Sequence, residues 1–236
     1  MKLVDSRAVA RDFYFEMQKH SLHLRPEWTA RQLAVYELYK MTLELPGSIA
    51  EFGVRNGANF FYLARMMEIF HAAQRHDAIS ARQLYGFDTF RGFPSIAPQD
   101  RSHSSWSEMR EGGVACFDRE VFFRDLEEFR SASAVGRRLH VVEGDVVETL
   151  PAFLESNPGV RFALIYLDMD LYEPTKACLE LLAPKLVPGA VVVFDEYGLK
   201  EFPGETAAAD EFLARHKLGV KHFPWCFSPS AYTIFG

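Results

Sequence analysis

Two aspartates directly follow a long apolar segment in the stretch FALIYLDMDLYEPT, residues 162–175. Asp168 and Asp170 stand at the end of a predicted buried strand, where a carboxylate is costly unless a cation, a hydrogen-bonding ligand or water meets it. A second acidic pair, Asp195 and Glu196, follows the apolar segment GAVVVF. The two segments are predicted to be neighbouring strands, so bare carboxylates at their ends would repel one another unless a cation lies among them.

The residue types at this point predict a hard divalent cation. Asp168, Asp195 and Glu196 offer only carboxylate oxygens, which suit Mg²⁺, with Mn²⁺ or Ca²⁺ as alternatives. No histidine or cysteine accompanies them in these motifs, which argues against zinc. Without a metal, the alternative is a carboxyl pair in which one member has a raised pKa.

Acidic residues also follow the other predicted strands. Glu51 precedes Gly53 and Gly57 in AEFGVRNGANF, Asp88 lies in YGFDTFRGF, and Asp145 lies in VEGDVVETLP. Ligands bind at the carboxyl ends of strands in open parallel sheets, so these acids are predicted to line one site, with a solvated rim as the alternative. Asp88 is at the end of the second predicted strand, a position where an acid commonly binds the hydroxyls of an adenosine ribose. Asp145 either caps the next helix or contacts the adenine.

The elements that position these residues alternate between short apolar segments and helical patterns. This alternation predicts an α/β fold with a doubly wound, mostly parallel sheet and helices on both faces. The segment VKHFPWCFSPSAYTIFG is interpreted as two antiparallel edge strands joined by a turn. The predicted strands are 49–53, 84–88, 139–143, 162–168 and 190–195, and the predicted helices are 58–72, 119–131, 146–155, 174–186 and 206–216.

Two regions depart from this alternation. Residues 1–45 are interpreted as an N-terminal helical arm, with a helix starting near Pro26, which covers the substrate site, forms a dimer interface or packs on the domain formed by residues 46–236. Residues 91–118 are rich in Gly, Pro, Ser and charge, and predict a lid, with a disordered insertion as the alternative. Candidate general bases are His103 in this lid and Asp170.

Composition excludes several classes of protein. The chain has 236 residues and a net charge of −6 without a basic stripe, which argues against a nucleic-acid partner. It has no apolar run near the ~18 residues of a membrane span and no signal-peptide pattern at its N-terminus, so we expect a cytoplasmic location. Cys116, Cys178 and Cys226 are odd in number and far apart, which fits neither a disulfide framework nor a zinc site.

Five motifs, in this order, resemble the macrocin O-methyltransferase family of S-adenosylmethionine- and Mg²⁺-dependent enzymes, which methylate sugar hydroxyls: AEFGVRNG, GFDTFRGFP, EGDVVETLP, LDMDLYEPT and PKLVPGAVVVFDEYG. The likeness begins near residue 46 and implies a class I methyltransferase fold, a Rossmann-like sheet with an antiparallel C-terminal strand. It also implies that Glu51 and Gly53 line the methionine part of the cofactor. Asp88 would hold the ribose, with Thr89 beside it at the cofactor, and Asp145 would lie by the adenine.

The same resemblance implies that Asp168, Asp195 and Glu196 bind the metal, with Asp168 also beside the cofactor. The family more often has two aspartates at the last pair, so the longer Glu196 is a departure. Asp170 matches a family position near the reacting centre. Further candidates for sugar or phosphate contacts are Arg55, Arg91, Trp106, Tyr172 and Tyr197.

These residues predict an O-methyltransferase acting on a sugar hydroxyl of a nucleotide deoxysugar or a glycosylated natural product. A cation that binds two vicinal oxygens would lower the proton affinity of the attacking hydroxyl and align it with the sulfonium methyl. An alternative acceptor is a catechol or another vicinal diol. An alternative of another class is an NAD(P)-dependent Rossmann oxidoreductase, against which the missing G-x-G-x-x-G counts, and a third is a non-catalytic binding protein.

Overall fold

The computed structural model describes residues 18–19, 22–72, 81–101 and 107–236. The strands are β1 (Ser48–Phe52), β2 (Leu84–Asp88), β3 (Leu139–Glu143), β4 (Phe162–Leu167), β5 (Leu186–Phe194) and β6 (Ala231–Phe235). The main helices are α1 (Pro26–Lys40), α2 (Ala58–His71), α3 (Arg119–Ala132), α4 (Val146–Ser156), α5 (Tyr172–Leu182) and α6 (Pro203–His216).

The strands form one sheet in the order β3-β2-β1-β4-β5-β6. Neighbouring strands are parallel except for β5 and β6, which are antiparallel. The chain runs outward from β1 in one direction and resumes at β4 on its other side, so a crevice opens at the carboxyl ends of these two strands. The predicted doubly wound sheet with an antiparallel C-terminal strand is confirmed.

Apolar side chains cover both faces of the sheet. Helices α1, α2 and α3 pack on one face, and α4, α5 and α6 pack on the other. Strands β1 and β4 are buried along their whole length, which explains why β4 is apolar throughout rather than alternating. Each fully buried Leu, Ile or Phe side chain contributes about 1.5–3 kcal/mol to this packing.

Strand β5 begins earlier and helix α5 ends earlier than the sequence predicts. The helix ends at Leu182 instead of residue 186, and the strand starts at Leu186 instead of residue 190. The pairing of β4 with β5 passes from Phe162–Leu186 to Leu164–Val191 across an irregularity. This bulge accommodates Pro188 and the following glycine, which lie before the predicted start of the strand at residue 190.

The prediction of two edge strands at the C-terminus is wrong in part. Only β6 is a strand there, and Lys221 forms a single bridge to Tyr232. The segment cannot continue as a strand because Pro224 lacks a backbone donor and a turn closes from Phe223 to Cys226. Two apolar runs joined by a turn therefore do not suffice for a hairpin here.

Helix α1 packs on the same domain through its C-terminal half. Val35, Leu38 and Tyr39 are buried in the first apolar cluster. The buried Arg82 donates hydrogen bonds to the Thr42 hydroxyl at 2.7 Å and to the Leu45 carbonyl at 2.8 Å, just beyond the end of the helix. These contacts fix the helix beside the sheet.

His71 is buried at the end of α2 near the buried arginines Arg82 and Arg138. Burial, and then these two positive charges, lower the pKa of His71 to about 4. An unfolded histidine titrates near pH 6.5, so between these values the unfolded chain binds more protons. The free energy of unfolding should therefore fall by up to roughly 3 kcal/mol through this site as the pH drops from about 6.5 to about 4.

Urea unfolding at pH 7 and pH 4.5 measures this effect. The His71→Gln variant should lose stability less steeply with acid than the wild type. His222→Gln, which changes an exposed histidine, should keep the wild-type dependence. An unchanged acid dependence in His71→Gln would contradict the assignment.

Cys116, Cys178 and Cys226 are free thiols. None of the helices in the described ranges combines the length and the apolar character that a membrane crossing requires.

Candidate functional site

A cavity of about 580 Å³ lies at the carboxyl ends of the central strands. Its volume is within the range of small-molecule and cofactor sites. The predicted acidic strand ends converge on it. Glu143, the last residue of the predicted strand 139–143, does not, because its carboxylate forms an ion pair with Arg119 on the surface. The acids that line the cavity are Glu51, Asp88, Asp145, Asp168, Asp170, Asp195 and Glu196.

Gly53 allows β1 and β4 to approach closely beneath the cavity. Its φ of +95° lies in the region that favours glycine, and a Cβ atom there would lie 1.7 Å from the backbone oxygen of Asp168. The Asp168 amide also donates to the Phe52 carbonyl at 2.8 Å. Glycine is therefore required by the packing of two backbones, and this packing places Asp168 at the cavity.

Glu51 is a buried carboxyl group within β1 that faces this cavity. One of its oxygens accepts a hydrogen bond from the Asn59 side chain at 3.1 Å. The other oxygen, Oε2, has no hydrogen-bond partner among the described residues. Burial, and then the charge of Asp168, raise the pKa of Glu51 well above its ordinary value. A cationic or hydrogen-bond-donating ligand group would satisfy this oxygen.

Asp88, Thr89 and Asp145 also line the cavity. The Asp88 carboxylate accepts the backbone N–H of Arg55 at 2.7 Å and that of Phe90 at 2.5 Å. A carboxylate has about four acceptor positions, so others remain for a ligand. The Thr89 hydroxyl donates to the Gly92 carbonyl at 2.7 Å, within the turn that follows β2.

Asp145 is the N-cap of α4, where its carboxylate accepts the Val147 N–H at 2.9 Å. The capping role predicted for this residue is therefore present, and its position in the cavity wall leaves a ligand contact open as well.

Asp168, Asp195 and Glu196 form a compact group of three carboxylates. Their potential ligand oxygens lie within 4.8 Å of one another. Oε2 of Glu196 is buried without a hydrogen-bond partner among the described residues. Three convergent carboxylates fit a hard divalent ion, because Mg²⁺ prefers oxygen ligands. The residues predicted as metal ligands are thus brought together, including the longer Glu196.

Arg31, which the sequence analysis did not identify, lies against this group. Its Nη2 is 2.8 Å from Asp168 and its Nη1 is 2.8 Å from Asp195. The side chain extends from α1 and is 20% exposed. A signal was present in the sequence: Arg31 precedes the buried Ala34, Val35 and Leu38 at helical spacing, so it is a cation on the apolar face of α1.

Asp195 is the most extensively hydrogen-bonded member of the group. Ser228 donates to it at 2.6 Å, and the buried Tyr166 hydroxyl donates to its other oxygen. Burial alone would raise the pKa of Asp195, but the charge of Arg31 and hydrogen bonds from Glu196, Arg31 and Ser228 outweigh this effect and lower it. Asp195 is therefore ionised in this arrangement.

The other two carboxyl groups are shifted in the opposite direction. Burial, and then the charge of Asp195, raise the pKa of Asp168 to about 7 against the opposing charge of Arg31. Burial, followed by the charges of Asp195 and Asp170, raises the pKa of Glu196 well above its ordinary value. A doubly charged cation would favour the ionised forms of both groups.

Glu205 supports Glu196 from the first turn of α6. It is fully buried, and its Oε1 accepts the backbone N–H of Glu196 at 2.9 Å. Burial is the main cause that raises the pKa of Glu205 well above its ordinary value. The sequence analysis missed this residue because its spacing within α6 does not relate it to Glu196.

Of the two candidate general bases, Asp170 lines the cavity and is buried. Its backbone φ of +65° is in the left-handed region, which is uncommon for a residue with a side chain and often marks functional sites. His103 lies outside the described residues, as does Trp106.

The described parts of the predicted lid segment, on both sides of residues 102–106, line the cavity with five residues: Gly92, Phe93, Pro94, Val114 and Phe117. Its first half is anchored, because the buried Asp100 accepts the Tyr172 N–H at 2.7 Å. The described parts of the segment are therefore a structured border of the cavity.

The residues predicted to contact a sugar or phosphate do not all lie at the cavity. Arg55 lines the cavity. The hydroxyls of Tyr172 and Tyr197 instead donate to Glu211 and Asp210, each at 2.7 Å.

The sheet order, the antiparallel last strand and a cavity at the point where the strand order reverses define the class I methyltransferase fold. Residues 32–222 match the family model described as Macrocin-O-methyltransferase (TylF), and the chain belongs to this family.

Relatives with known names include an enzyme of Streptomyces olivaceus, 8-demethyl-8-(2,3-dimethoxy-alpha-L-rhamnosyl)-tetracenomycin-C 4'-O-methyltransferase. It is 30% identical over 158 residues, which cover 66% of this chain and 54% of the relative. The crystal structure of CalS11, a calicheamicin methyltransferase, matches with a TM-score of 0.83 and 33% identity, over 93% of this chain and 84% of that chain.

A second structure of CalS11, in its apo form, is described as a TDP-rhamnose 3'-O-methyltransferase of calicheamicin biosynthesis. It matches with a TM-score of 0.73 and 31% identity, over 93% of this chain and 85% of that chain. The chain spans between 54% and 65% of the length of the curated relatives it matches.

Proposed function

We propose that this protein transfers a methyl group from S-adenosylmethionine to a hydroxyl of a deoxysugar, with a divalent cation, Mg²⁺ or Mn²⁺, bound by Asp168, Asp195 and Glu196. The observation that carries the proposal is the convergence of three carboxylates, within 4.8 Å of one another, on the wall of the cavity at the strand-order reversal. Membership of a family of O-methyltransferases supports the reaction class.

The donor side of the cavity fits the parts of S-adenosylmethionine in order. Glu51, with its unpartnered oxygen, and Gly53 would bind the methionine portion. Asp88 and Thr89 would bind the ribose, because an acid at the end of the second strand accepts hydroxyl donors. Asp145 would lie beside the adenine.

In the reaction, the sugar hydroxyl oxygen attacks the methyl carbon, the carbon–sulfur bond breaks, and its electron pair stays on sulfur as S-adenosylhomocysteine leaves. When bound, the cation supplies charge that lowers the proton affinity of the attacking oxygen. The three carboxylates fix the position of that charge, and Asp170 accepts the proton. The walls of the cavity hold donor and acceptor together, which lowers the entropic part of the barrier.

The named relatives favour a rhamnose-type acceptor. The relative from S. olivaceus is named for a rhamnosyl 4'-hydroxyl and CalS11 for the 3'-hydroxyl of TDP-rhamnose. Acceptor choice depends on the cavity border more than on the fold, so nucleotide deoxysugars and glycosylated natural products are both acceptors to test.

Transfer of radiolabelled methyl groups tests the proposal. S-adenosylmethionine is supplied with TDP-rhamnose, glycosylated natural products or catechols, in Mg²⁺ or in excess EDTA. We expect transfer to a sugar acceptor, loss of at least about a hundredfold in EDTA, and recovery when Mg²⁺ is restored. Full turnover in EDTA would remove the cation from the mechanism. Transfer to catechols alone would mean that the acceptor is a catechol and not a deoxysugar.

A binding measurement separates the donor from its alternative. S-adenosylhomocysteine at 100 times its Kd should stabilise the folded protein by about 2.7 kcal/mol, which a thermal shift detects. Stabilisation by NAD(H) in its place would favour an oxidoreductase.

A further inference from the structure

We propose that Arg31 is a counter-ion that pairs with Asp168 and Asp195 when no metal is bound, and that a divalent cation must displace it from these carboxylates. Helix α1 would then respond to cation binding. The inference rests on the proposed cation site, and it assigns a role to a residue outside the predicted ligands.

The geometry of Arg31 is that of a bridge between two strands. Its two terminal nitrogens are each 2.8 Å from a different carboxylate, Asp168 after β4 and Asp195 after β5. The Nη1 atom also donates a hydrogen bond to the Ser228 hydroxyl oxygen, and the guanidinium carbon is 5.7 Å from the centre of the Tyr166 ring. A planar guanidinium with fixed donor directions suits such a bridge.

A cation and Arg31 compete for the same oxygens. A Mg²⁺ ion takes carboxylate oxygens at about 2.0–2.1 Å and imposes octahedral geometry on them. Oδ2 of Asp168 and both oxygens of Asp195 lie 2.8 Å from the terminal nitrogens of the arginine, and a guanidinium that remained beside them would repel the ion at short range. Binding of the ion through these oxygens and retention of the two ion pairs therefore exclude each other.

Displacement of Arg31 affects α1 unequally along its length. The C-terminal half of the helix is held by buried Val35, Leu38 and Tyr39. The N-terminal half reaches the site through Arg31, and Trp28, one turn earlier, lines the same cavity and is 54% exposed. Release of Arg31 would thus change the surroundings of Trp28 at the cavity wall, while the rest of the helix stays packed.

Direct measurement of Mn²⁺ binding tests the competition without any turnover. Free Mn²⁺ is followed by electron paramagnetic resonance during titration of the wild type, Arg31→Met and Arg31→Lys. We expect Arg31→Met to bind Mn²⁺ at least about tenfold more tightly than the wild type. The affinity of Arg31→Lys should lie between the two, because lysine keeps the positive charge but lacks the planar guanidinium that pairs with both carboxylates. Arg25→Met is the matched control, since Arg25 lies at the start of α1, is 72% exposed and pairs with Glu27.

Each outcome decides the proposal. Equal or weaker Mn²⁺ binding by Arg31→Met than by the wild type would overturn it and leave the proposed cation site intact. The absence of Mn²⁺ binding in every variant would overturn both. A tenfold gain in Arg25→Met as well would show a general charge effect and overturn the specific role of Arg31.

A second measurement uses the wild-type arginine and does not depend on how Arg31→Met folds. The Trp106→Phe and Trp225→Phe substitutions leave Trp28 as the single emitting tryptophan. Saturating Mg²⁺, with its binding verified by competition against Mn²⁺, should then shift the Trp28 emission. Unchanged emission with bound Mg²⁺ would overturn the displacement.

Discussion

Replacing Asp168 with asparagine is expected to lower the rate of methyl transfer by about a thousandfold or more while the protein stays folded. Asparagine has the shape of aspartate but no charge, so the proposed cation site would lose one of its three carboxylates. The same change removes the ion pair between Arg31 and residue 168, whereas the 2.8 Å ion pair between Arg31 and Asp195 remains. The strand itself depends on backbone hydrogen bonds and apolar packing, which the substitution leaves in place.

The measurement is steady-state methyl transfer to the sugar acceptor at saturating Mg²⁺, with circular dichroism to verify folding. Glu143→Gln is the matched control, because Glu143 is also an acid at the end of a strand but pairs with Arg119 on the surface. That variant should keep wild-type activity within about twofold. An Asp168→Asn variant that retained more than a tenth of the wild-type rate would contradict the proposed role of Asp168 as a metal ligand.

The acids of the candidate site could be located from the sequence because topology alone brings them together. Parallel strands place their carboxyl ends at one edge, so Glu51, Asp88, Asp168 and Asp195 required only the assignment of strands. Glu143 followed the same pattern and does not belong to the site. Its strand is at the edge of the sheet, where Arg119 satisfies it, and the motif could not distinguish a rim position from the cavity.

The groups around those acids were harder to predict, since they come from distant parts of the chain. Arg31 is 137 positions from Asp168, and Ser228 is 33 positions from Asp195. Such pairings depend on how α1 and the C-terminal segment pack, and no local pattern records this. An arginine on the apolar face of a helix is the one sign that a buried acidic partner exists for it.

Local backbone geometry limited the rest of the prediction. The predicted start of β5 is residue 190, just after Pro188 and its glycine neighbour, whereas a bulge lets the strand begin at Leu186. At the C-terminus, Pro224 and a turn prevent the first of two apolar runs from joining the sheet. In both places the effect of a proline on the sheet depends on the local strand pairing, which the sequence pattern does not show.

Gly53→Ala is expected to lower the free energy of unfolding by roughly 3 kcal/mol or more and to weaken S-adenosylhomocysteine binding. The new Cβ would stand 1.7 Å from the Asp168 carbonyl oxygen, which belongs to the backbone and cannot rotate away. Alanine is also strained at the glycine φ of +95°. Relief requires β1 and β4 to separate where the Asp168 amide bonds to Phe52, and this separation moves Asp168 itself.

Urea unfolding and S-adenosylhomocysteine titration measure these two effects, with Gly159→Ala as the control. No atom lies within 4 Å of a Cβ built at Gly159, so that variant should differ from the wild type by less than about 0.5 kcal/mol. A Gly53→Ala protein as stable as the control would mean that the strands tolerate a wider spacing at this edge. Because the close approach of β1 and β4 is what holds Asp168 beside the cofactor cavity, stability and ligand affinity should fall together in Gly53→Ala.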